Sequence, residues 1–359
     1  MNVARQAVDV LVIGLGPAGG AAALAAARAG LKVAAVERRR EIGVPVQCAE
    51  FIPLPLGRHA QAAGILQQRI RGMISHLPSG KAETTDSPGL MVDRAAFDQA
   101  LARQAENNGA TLYPHSSLVE LDSADSSAVV ATPRGQIRFN YRLLIAADGP
   151  HSFVARAHGL DRPETVHARQ YTVALNQPCD DTEIWLSADY PGGYAWLFPR
   201  GPVANLGVGV DKRFAADPKA LLDALHGQLA AEGRVGKTIL RRTGGAIPVG
   251  GLRANLVIGN ALFVGDAAGL THPVTGAGIA AAVASGERAG QAAAGWLLER
   301  DETALQEFEQ DIRDQFGASL QRALARRARL GQYWRTPAAG DDAIQRRGWM
   351  AFPEYYESA

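Results

Sequence analysis

Cysteine is scarce in this sequence, with only Cys48 and Cys179 among 359 residues. Two cysteines exclude a disulfide framework, and their spacing does not fit a metal site, so we predict no metal. Because no secretory signal is visible, we expect a cytoplasmic setting, with peripheral contact at the inner face of the membrane as a further option.

An excess of charge of either sign is also missing, because 37 basic and 36 acidic residues leave a formal net charge of +1. We therefore predict no nucleic-acid partner. Long apolar runs are lacking as well. Residues 10–27 are uncharged but are broken early by glycines and a proline, and residues 278–298 carry an acidic and a basic residue in their middle. We interpret these as a strand–turn–helix and a buried helix rather than as two membrane spans.

Glycine is placed informatively near the N-terminus. An apolar run at 8–13, typical of a buried parallel strand, leads into Gly14, Gly16 and Gly19, and an alanine-rich helix is predicted directly behind them. In this G-x-G-x-x-G spacing the first glycine allows a tight turn and the second lets the backbone approach a pyrophosphate. The third allows the helix to pack closely on the strand, and the helix N-terminus offers free N–H groups to phosphates.

A second predicted strand at 32–36 ends at Glu37, which lies 21 residues after Gly16. A carboxylate at about this distance accepts hydrogen bonds from the adenosine ribose in dinucleotide-binding folds. Strand, loop, helix, second strand and acid thus occur in the expected order. This element predicts a dinucleotide cofactor and leaves the choice between FAD and NAD open.

Two later segments favour FAD. Residues 143–149 form a predicted buried strand that ends in Asp-Gly, and a predicted strand at 256–264 runs into Gly-Asp. A carboxylate at such a strand end can bind the ribityl hydroxyls of a flavin. A long helix is predicted to begin near Gly276, and its positive end can stabilise the negative charge that a reduced flavin carries.

The three glycine-rich segments resemble the fingerprints of flavoproteins with the p-hydroxybenzoate hydroxylase fold. Two further motifs are similar to those of the geranylgeranyl reductase family: Y-x-W-x-F-P at 194–199 followed by G-x-G at 207–209, and G-x-P-x-x-C-x-E at 43–50. Arg94 matches an arginine that contacts the FAD in relatives. The resemblance spans nearly the whole chain. It implies an α/β fold with a Rossmann-like FAD-binding domain, in which helices cover a parallel sheet, an antiparallel-sheet substrate domain and C-terminal helices.

The resemblance also implies discontinuous domains. We assign the FAD-binding domain to 1–72, 93–160 and 254–335, the substrate domain to 73–92 and 161–253, and a C-terminal tail to 336–359. The predicted FAD-binding residues are Gly14, Gly16, Pro17, Ala18, Gly19, Glu37, Arg38, Cys48, Arg94, Val119, Asp148, Gly149, Gly265, Asp266, Pro273, Gly276, Ala277 and Gly278.

No second G-x-G-x-x-G occurs, so we expect NADPH or NADH, or a protein donor, to deliver electrons only transiently. Reduction of an isolated C=C bond needs a proton as well as a hydride, and therefore a general acid near the flavin. Cys48 is the candidate, since burial in apolar surroundings keeps a thiol protonated. The alternative for Cys48 is a small buried apolar residue. Glu50 is predicted either to orient a loop or to cap a helix.

Tyr194, Trp196 and Phe198 alternate with smaller residues, so on a strand all three share one face. They form either the wall of a pocket for an apolar, prenyl-like substrate or an aromatic core between the sheet and the FAD domain.

A helix predicted from the apolar spacing at 305–320 ends in an arginine cluster formed by Arg322, Arg326, Arg327 and Arg329. Such a cluster is usually a solvated face, and a membrane surface or anionic partner is the alternative.

Three activities agree with these features. The favoured one is an FAD-dependent reductase of C=C bonds in a prenyl-type or other apolar small molecule. The second is an NAD(P)H-oxidising flavoprotein that delivers electrons to a partner protein in cofactor maturation, for instance in lipoate assembly; the arginine cluster and the tail at 349–353 are candidates for docking that partner. The third is an FAD-dependent monooxygenase, which uses the same fold.

Overall fold

The computed structural model describes residues 4–357. Its strands are β1 (Ala4–Ile13), β2 (Val33–Val36), β3 (Phe51–Pro53), β4 (Leu66–His76), β5 (Ala82–Val92), β6 (Thr111–Tyr113), β7 (Ser117–Asp122), β8 (Ser127–Thr132), β9 (Gly135–Ala146), β10 (Thr165–Leu175), β11 (Asp181–Trp185), β12 (Tyr194–Arg200), β13 (Val203–Val210), β14 (Val235–Pro248), β15 (Val257–Ile258) and β16 (Ala261–Phe263). Its α-helices are α1 (Pro17–Arg28), α2 (Arg94–Asn107), α3 (Phe153–Ala157), α4 (Pro218–Ala231), α5 (Ile279–Ala294), α6 (Ala304–Ile312), α7 (Ala318–Gly331) and α8 (Asp342–Gly348).

The first sheet has the order β15-β16-β9-β1-β2-β6, with β7 and β8 joined to it through β9. Its centre is parallel, because β1 pairs with both β9 and β2 in the same direction. Residues 10–12 of β1 are fully buried, as expected for a strand covered on both faces. Helices α1, α2 and α5 contribute to the same core. This arrangement confirms the predicted Rossmann-like half of the fold.

The second sheet has the order β14-β10-β13-β12-β11-β4-β5-β3 and is antiparallel except where β11 pairs with β4. Alternate residues of β12 reach different cores. Ala195 and Leu197 belong to a core with helix α4, whereas Trp196 belongs to a core with residues near the C-terminus. The predicted antiparallel sheet is therefore confirmed. One face of this sheet is covered by α4, and the other carries the aromatic residues Tyr194, Trp196 and Phe198 of β12.

The sheet boundaries bear on the predicted division of the chain. Strand β3 and the first half of β4 lie in the second sheet, although both fall within the 1–72 segment that we assigned to the FAD domain. The proposed domain limits remain a prediction.

The predicted single strand at 256–264 was wrong. The segment forms two short antiparallel strands, β15 and β16, around a turn at Gly259 and Asn260. Gly259 has a φ of +58°, a left-handed conformation that lets the chain reverse. Only β16 enters the parallel part of the sheet, where it pairs with β9 and points towards Gly265.

The C-terminal third is helical, as predicted. Helices α6 and α7 are continuous through a π-helical turn at Arg313–Gly317, so the apolar spacing at 305–320 does mark one amphipathic helix. Residues beyond it form α8 and short turns that return to the second sheet. Between residues 4 and 357, no helix is long and apolar enough to cross a membrane.

Candidate cofactor and active site

The loop between β1 and α1 has the geometry of a phosphate cradle. Gly14 has a φ of +97°, and a Cβ there would lie 2.3 Å from the carbonyl oxygen of Ala147. A Cβ at Gly19 would lie 1.8 Å from the oxygen of Gly14, so both positions require glycine. At Gly16, by contrast, a Cβ would meet nothing within 4 Å. Open space at the N-cap of a helix with no side-chain cap fits a pyrophosphate.

Glu37 follows the last residue of β2, and its carboxylate supports this loop. Its Oε2 accepts a hydrogen bond from the backbone N–H of Leu15 at 2.9 Å, and its Oε1 accepts one from Arg39 N–H at 2.9 Å. Glu37 remains partly exposed, so its oxygens can accept further hydrogen bonds, as contact with a ribose requires. The contact with Leu15 joins the glycine loop to the end of β2, and the contact with Arg39 stays within the segment after β2.

Arg38 and Val119 stand at the edge of this region. Arg38 is exposed, and Val119 lies in β7 with 40% of its surface exposed. The backbone N–H of Ser116 donates to Glu37 O at 2.9 Å, which brings the start of β7 close to the end of β2. Contact of either residue with the adenosine end of FAD remains a prediction.

Helices α1 and α5 pack against each other and run in the same direction. A Cβ at Gly286 would lie 2.1 Å from the oxygen of Ala18, and one at Gly290 would lie 2.5 Å from the Cβ of Ala25. The absence of side chains at these two positions of α5 therefore permits the close approach. Because the helices are parallel, both positive N-termini face the same end of the sheet, where an anionic cofactor is stabilised.

Two carboxylates lie at that end. Asp148 Oδ2 accepts from the backbone N–H groups of Phe153 (2.7 Å) and Val154 (3.1 Å), while its buried Oδ1 has no partner among the described residues. Asp266 accepts from Thr271 Oγ1 at 2.6 Å. Burial raises the pKa of both carboxyl groups. An unpartnered buried oxygen at Asp148 fits a site that takes a hydroxyl-bearing ligand.

The turn before α5 completes this end of the site. Gly278 is the N-cap of α5 and has no side-chain cap, so the first N–H groups of the helix are unpaired by side chains. Gly276 has a φ of +69°, and its N–H donates to the oxygen of His272 at 2.9 Å. Pro273 is buried and Ala277 is exposed within the same turn. The predicted helix start near 276 is thus at Ile279.

Cys48 lies beside Arg94 and Glu50. The backbone N–H of Glu50 donates to Cys48 Sγ at 3.2 Å. Cys48 is partly exposed rather than fully buried as we expected, but desolvation by the surrounding protein still raises the pKa of its thiol. Arg94 opposes that effect, because its positive charge favours the thiolate.

Arg94 is the first residue of α2, and its guanidinium pairs with the buried Asp98 at 3.0 Å. The same guanidinium is close enough to Cys48 and Asp266 to influence the pKa of each. Arg94 therefore interacts electrostatically with both the thiol and the carboxylate at the predicted flavin end. Its direct contact with FAD stays a prediction.

Glu50 both caps a helix and orients a loop. Its carboxylate is fully buried and accepts from the N–H of Arg94 at 3.0 Å and from Asn205 Nδ2 at 2.9 Å, and it pairs with Arg200 at 3.3 Å. These contacts fix Cys48 between helix α2 and the second sheet. The sequence motif includes Glu50, but the partners come from distant segments and could not be predicted.

Tyr194, Trp196 and Phe198 lie on the same face of β12 and belong to one apolar cluster. The Tyr194 hydroxyl donates to Thr275 O in the turn before α5. Burial and the neighbouring Cys48 raise the pKa of Tyr194. This face of the sheet therefore borders both the cofactor end and the thiol.

The G-x-G at 207–209 makes room for the aromatic residues of the motif at 194–199. A Cβ at Gly207 would lie 2.1 Å from the Trp196 ring, so glycine on β13 makes room for the indole. Trp196 Nε1 donates to Gln170 Oε1 at 3.2 Å, and Gln170 Nε2 donates to Cys48 O at 3.0 Å. Gln170 thus connects the aromatic face to the Cys48 loop, a role for which the sequence carries no signal.

Two of the four arginines in the cluster make contacts inside the protein, whereas Arg322 is exposed as expected. Arg326 is 6% exposed and donates from Nε to the oxygen of Tyr355 at 2.9 Å. Arg327 donates to Gly192 O and to Asp211 Oδ2, each at 2.7 Å. The expectation of a solvated face was wrong for these two residues, because Arg326 binds the C-terminal segment and Arg327 binds the loops beside β12 and β13.

The fold and the site together define an FAD-dependent oxidoreductase. Sequence models of three protein families match the chain: FAD dependent oxidoreductase at 9–158, geranylgeranyl reductase catalytic domain at 165–246 and lycopene cyclase protein at 211–335. The match at 9–158 contains the glycine loop and Asp148.

The chain belongs to the geranylgeranyl reductase family. It is 32% identical over 339 residues to digeranylgeranylglycerophospholipid reductase 1 of Methanothermobacter thermautotrophicus, which covers 88% of this chain and 85% of the relative. It is 35% identical over 331 residues to digeranylgeranylglycerophospholipid reductase 1 of Methanopyrus kandleri, with 86% and 88% covered.

Solved structures agree with this assignment. A geranylgeranyl bacteriochlorophyll reductase-like protein of Thermoplasma acidophilum superimposes with a TM-score of 0.86 at 26% identity, covering 97% of this chain and 93% of that one. A flavin-dependent halogenase shares the fold, with a TM-score of 0.74 at 18% identity and coverage of 98% and 68%.

Proposed function

We propose that this protein uses FAD and NAD(P)H to reduce C=C bonds in a prenyl-type lipid, with Cys48 as the proton donor. The names of the curated relatives, which are reductases of digeranylgeranylglycerophospholipid, support this substrate class. The observation that carries the proposal is the position of the Cys48 thiol. The thiol is close enough to Arg94, on the cofactor side, and to Tyr194, on the aromatic face of the second sheet, to interact with both electrostatically, and Arg94 in turn interacts with Asp266.

When bound, FAD supplies the hydride that such a reduction requires, after reduction by NAD(P)H. The chain's own contribution begins with the two parallel helix N-termini of α1 and α5, which hold the anionic cofactor. Arg94 contributes a fixed positive charge at the same end. The cofactor site and the aromatic face then meet at Cys48.

Cys48 is suited to give a proton to carbon. Desolvation raises the pKa of its thiol, so the thiol is protonated at neutral pH and available as an acid. Loss of the proton leaves a thiolate, which the Arg94 guanidinium and the Glu50 N–H both stabilise. The same neighbours therefore assist proton release, while desolvation by the surrounding protein keeps the thiol protonated beforehand.

The aromatic face supplies the apolar surroundings that a prenyl chain needs. Tyr194 and Trp196 rings lie 5.6 Å apart, and Phe198 packs against Phe51 at 6.0 Å. An apolar chain laid on this face is removed from water next to the thiol, which stabilises its binding by about 25 cal/mol per Å² of buried apolar surface. We include peripheral contact with a membrane in the proposal, because a lipid substrate of this class is delivered from one.

The test is product analysis with the FAD-loaded protein, NADPH or NADH and a geranylgeranyl glycerophospholipid under nitrogen. We expect a gain of two hydrogen atoms for each reduced double bond, and loss of that product in Cys48→Ser, which keeps FAD. Oxygen incorporated in air, with no saturated product under nitrogen, would instead identify a monooxygenase. Recovery of oxidised flavin only when a protein acceptor is added would identify an electron-delivery flavoprotein.

A further inference from the structure

Asp98 is a buried carboxylate beside the candidate site that the proposed reaction does not use directly. It lies in α2, one helical turn after Arg94, and only 3% of its surface is exposed. Its two oxygens accept hydrogen bonds from the Arg94 guanidinium, Oδ1 from Nε at 3.2 Å and Oδ2 from Nη2 at 3.0 Å. Such a two-point contact fixes the plane of a guanidinium as well as its distance.

The stability of α2 alone does not explain this pair. Arg94 is the first residue of the helix, where the positive end of the helix dipole disfavours a cation. An acid placed four residues after a base is also the less favourable order on an isolated helix. The position of Arg94 therefore destabilises the start of the helix, and Asp98 offsets that effect.

Arg94 connects Asp98 to the loop that carries the thiol. The backbone N–H of Arg94 donates to the buried Glu50 carboxylate at 3.0 Å, and the backbone N–H of Glu50 donates to Cys48 Sγ at 3.2 Å. The Arg94 guanidinium is close enough to the sulfur to favour its thiolate, and Tyr194 faces the same sulfur from β12. A guanidinium that is paired with a carboxylate attracts a thiolate less than an unpaired one does.

Other charges near Asp98 come from the segment after β2. Burial raises the pKa of the Asp98 carboxyl, and the Arg94 guanidinium opposes that rise. Glu37 and Arg39 have smaller effects on the same carboxyl, and these two effects are opposite in sign. Arg94 is thus the charged group that acts on both Asp98 and Cys48.

We propose that Asp98 is a positioning residue that holds the Arg94 guanidinium and balances its charge, so that the Cys48 thiol keeps its proton until the substrate takes it. The inference rests on the proposed function for the step that uses this proton. In that step the S–H bond breaks as a C–H bond forms on the alkene carbon, and the sulfur keeps the electron pair. Without Asp98, the unbalanced guanidinium would stabilise the thiolate before the substrate arrives.

The experiment measures the rate of Cys48 alkylation by iodoacetamide against pH, in the FAD-loaded protein with Cys179→Ser. Asp98→Asn should lower the midpoint of this profile by about one pH unit, which makes alkylation below the midpoint roughly tenfold faster. Glu106→Gln makes the same change from carboxylate to amide at an exposed position of α2 and should leave the midpoint unchanged. With Arg94→Gln present, Asp98→Asn should have no effect, because a buried carboxyl without its partner is neutral already.

The pH dependence of turnover reports on the same thiol. Activity is lost at high pH because only the protonated thiol is an acid. Asp98→Asn should move this loss to lower pH by about one unit, the same shift as in the alkylation profile. A residue with a purely structural role would instead lower activity alike at every pH.

An unchanged alkylation midpoint in an Asp98→Asn protein with normal FAD content would overturn the inference, and so would a shift that persists with Arg94→Gln. If Asp98→Asn does not fold, Arg94→Lys provides the test. Lysine keeps the charge but has no fork with which to reach both the carboxylate and the thiol, so the midpoint should rise by about half a unit. An unchanged midpoint in Arg94→Lys would again overturn the inference.

The alkylation result is independent of the substrate. A lowered midpoint in Asp98→Asn, without reduction of any prenyl lipid by the wild-type protein, would confirm the role of Asp98 in setting the acidity of the thiol and would reject the proposed reductase.

Discussion

The backbone N–H of Glu50 points at the sulfur of Cys48 from 3.2 Å. Glu50 adopts a φ of +72°, a conformation that costs a non-glycine residue free energy, and its buried carboxylate makes up for that cost through Arg94, Arg200 and Asn205. The position of the thiol is thus determined by a residue two places along the chain. The reactivity of the Cys48 thiol can be measured without substrate turnover.

We expect the Cys48 thiol to react slowly with iodoacetamide at pH 8. Since the folded protein raises its pKa, the thiolate fraction at that pH is below that of an unperturbed cysteine, whose pKa is about 8.5. The alkylation rate should rise only at higher pH. In guanidinium, which unfolds the protein, it should equal the rate of an unperturbed cysteine. Alkylation followed by mass spectrometry in a Cys179→Ser background measures this. Fast alkylation at pH 7 would mean that Cys48 is a thiolate and cannot serve as the acid.

Gly16 and Gly19 should differ sharply when each is changed to alanine. At Gly16 there is open space. The free energy of unfolding of Gly16→Ala without FAD should therefore lie within about 0.5 kcal/mol of the wild-type value. It should nevertheless purify with little FAD, because its methyl group occupies the phosphate space. At Gly19 the methyl would collide with Gly14, so Gly19→Ala should lose about 3 kcal/mol of stability.

Denaturant unfolding of the FAD-free proteins and the flavin absorbance of the purified proteins provide the two measurements. A yellow, fully loaded Gly16→Ala protein would contradict the placement of the pyrophosphate at this loop.

Glu37→Arg should weaken FAD binding by roughly ten- to a hundredfold, the loss expected for hydrogen bonds to a charged group. The substitution removes the acceptor that holds Leu15 and places a positive charge at the predicted ribose. Glu106→Arg, on the exposed part of α2, makes the same charge change and should have no effect. Fluorescence titration of the stripped proteins with FAD measures both. Equal affinities would remove Glu37 from the adenosine site.

His272 should make the turn before α5 sensitive to acid. Burial lowers its pKa from 6.5 to about 4. The folded protein therefore keeps His272 neutral, while the unfolded chain binds a proton below about pH 6.5. The stability contributed by neutral His272 is complete above that pH and is lost progressively down to about pH 4.

His272→Asn keeps a hydrogen-bond acceptor for the Thr275 N–H, which lies 3.2 Å from Nδ1, and removes the titration. The melting temperature of this variant should fall less between pH 7 and 4.5 than that of the wild type. His151→Asn, at an exposed position, is the control. Parallel pH curves for His272→Asn and wild type would show that His272 does not titrate in this range.

The cofactor loop could be predicted because its determinants are local. Gly14, Gly16 and Gly19 act within one strand–turn–helix, and their spacing is imposed by the backbone itself. The hairpin at Gly259 and Asn260 was missed because an apolar run on either side of a two-residue turn has the same composition as one continuous strand.

The surroundings of the candidate site depend on contacts between distant residues. Trp349 meets Tyr194, and Gln170 meets the backbone of Cys48, but neither pairing leaves a period or a motif in the sequence. Arg326 was expected at a solvated face because a cluster of arginines is usually exposed. Its burial follows from the returning tail, whose carbonyl groups accept its hydrogen bonds.

The most direct test of the central claim is a single turnover without oxygen. The FAD-loaded protein is reduced by dithionite, a geranylgeranyl lipid is added, and the oxidised flavin absorbance band is followed. We predict that the band returns with formation of the saturated product in the wild type and does not return in Cys48→Ser. A band that stays bleached in the wild type with every prenyl compound would contradict the assignment as a C=C reductase.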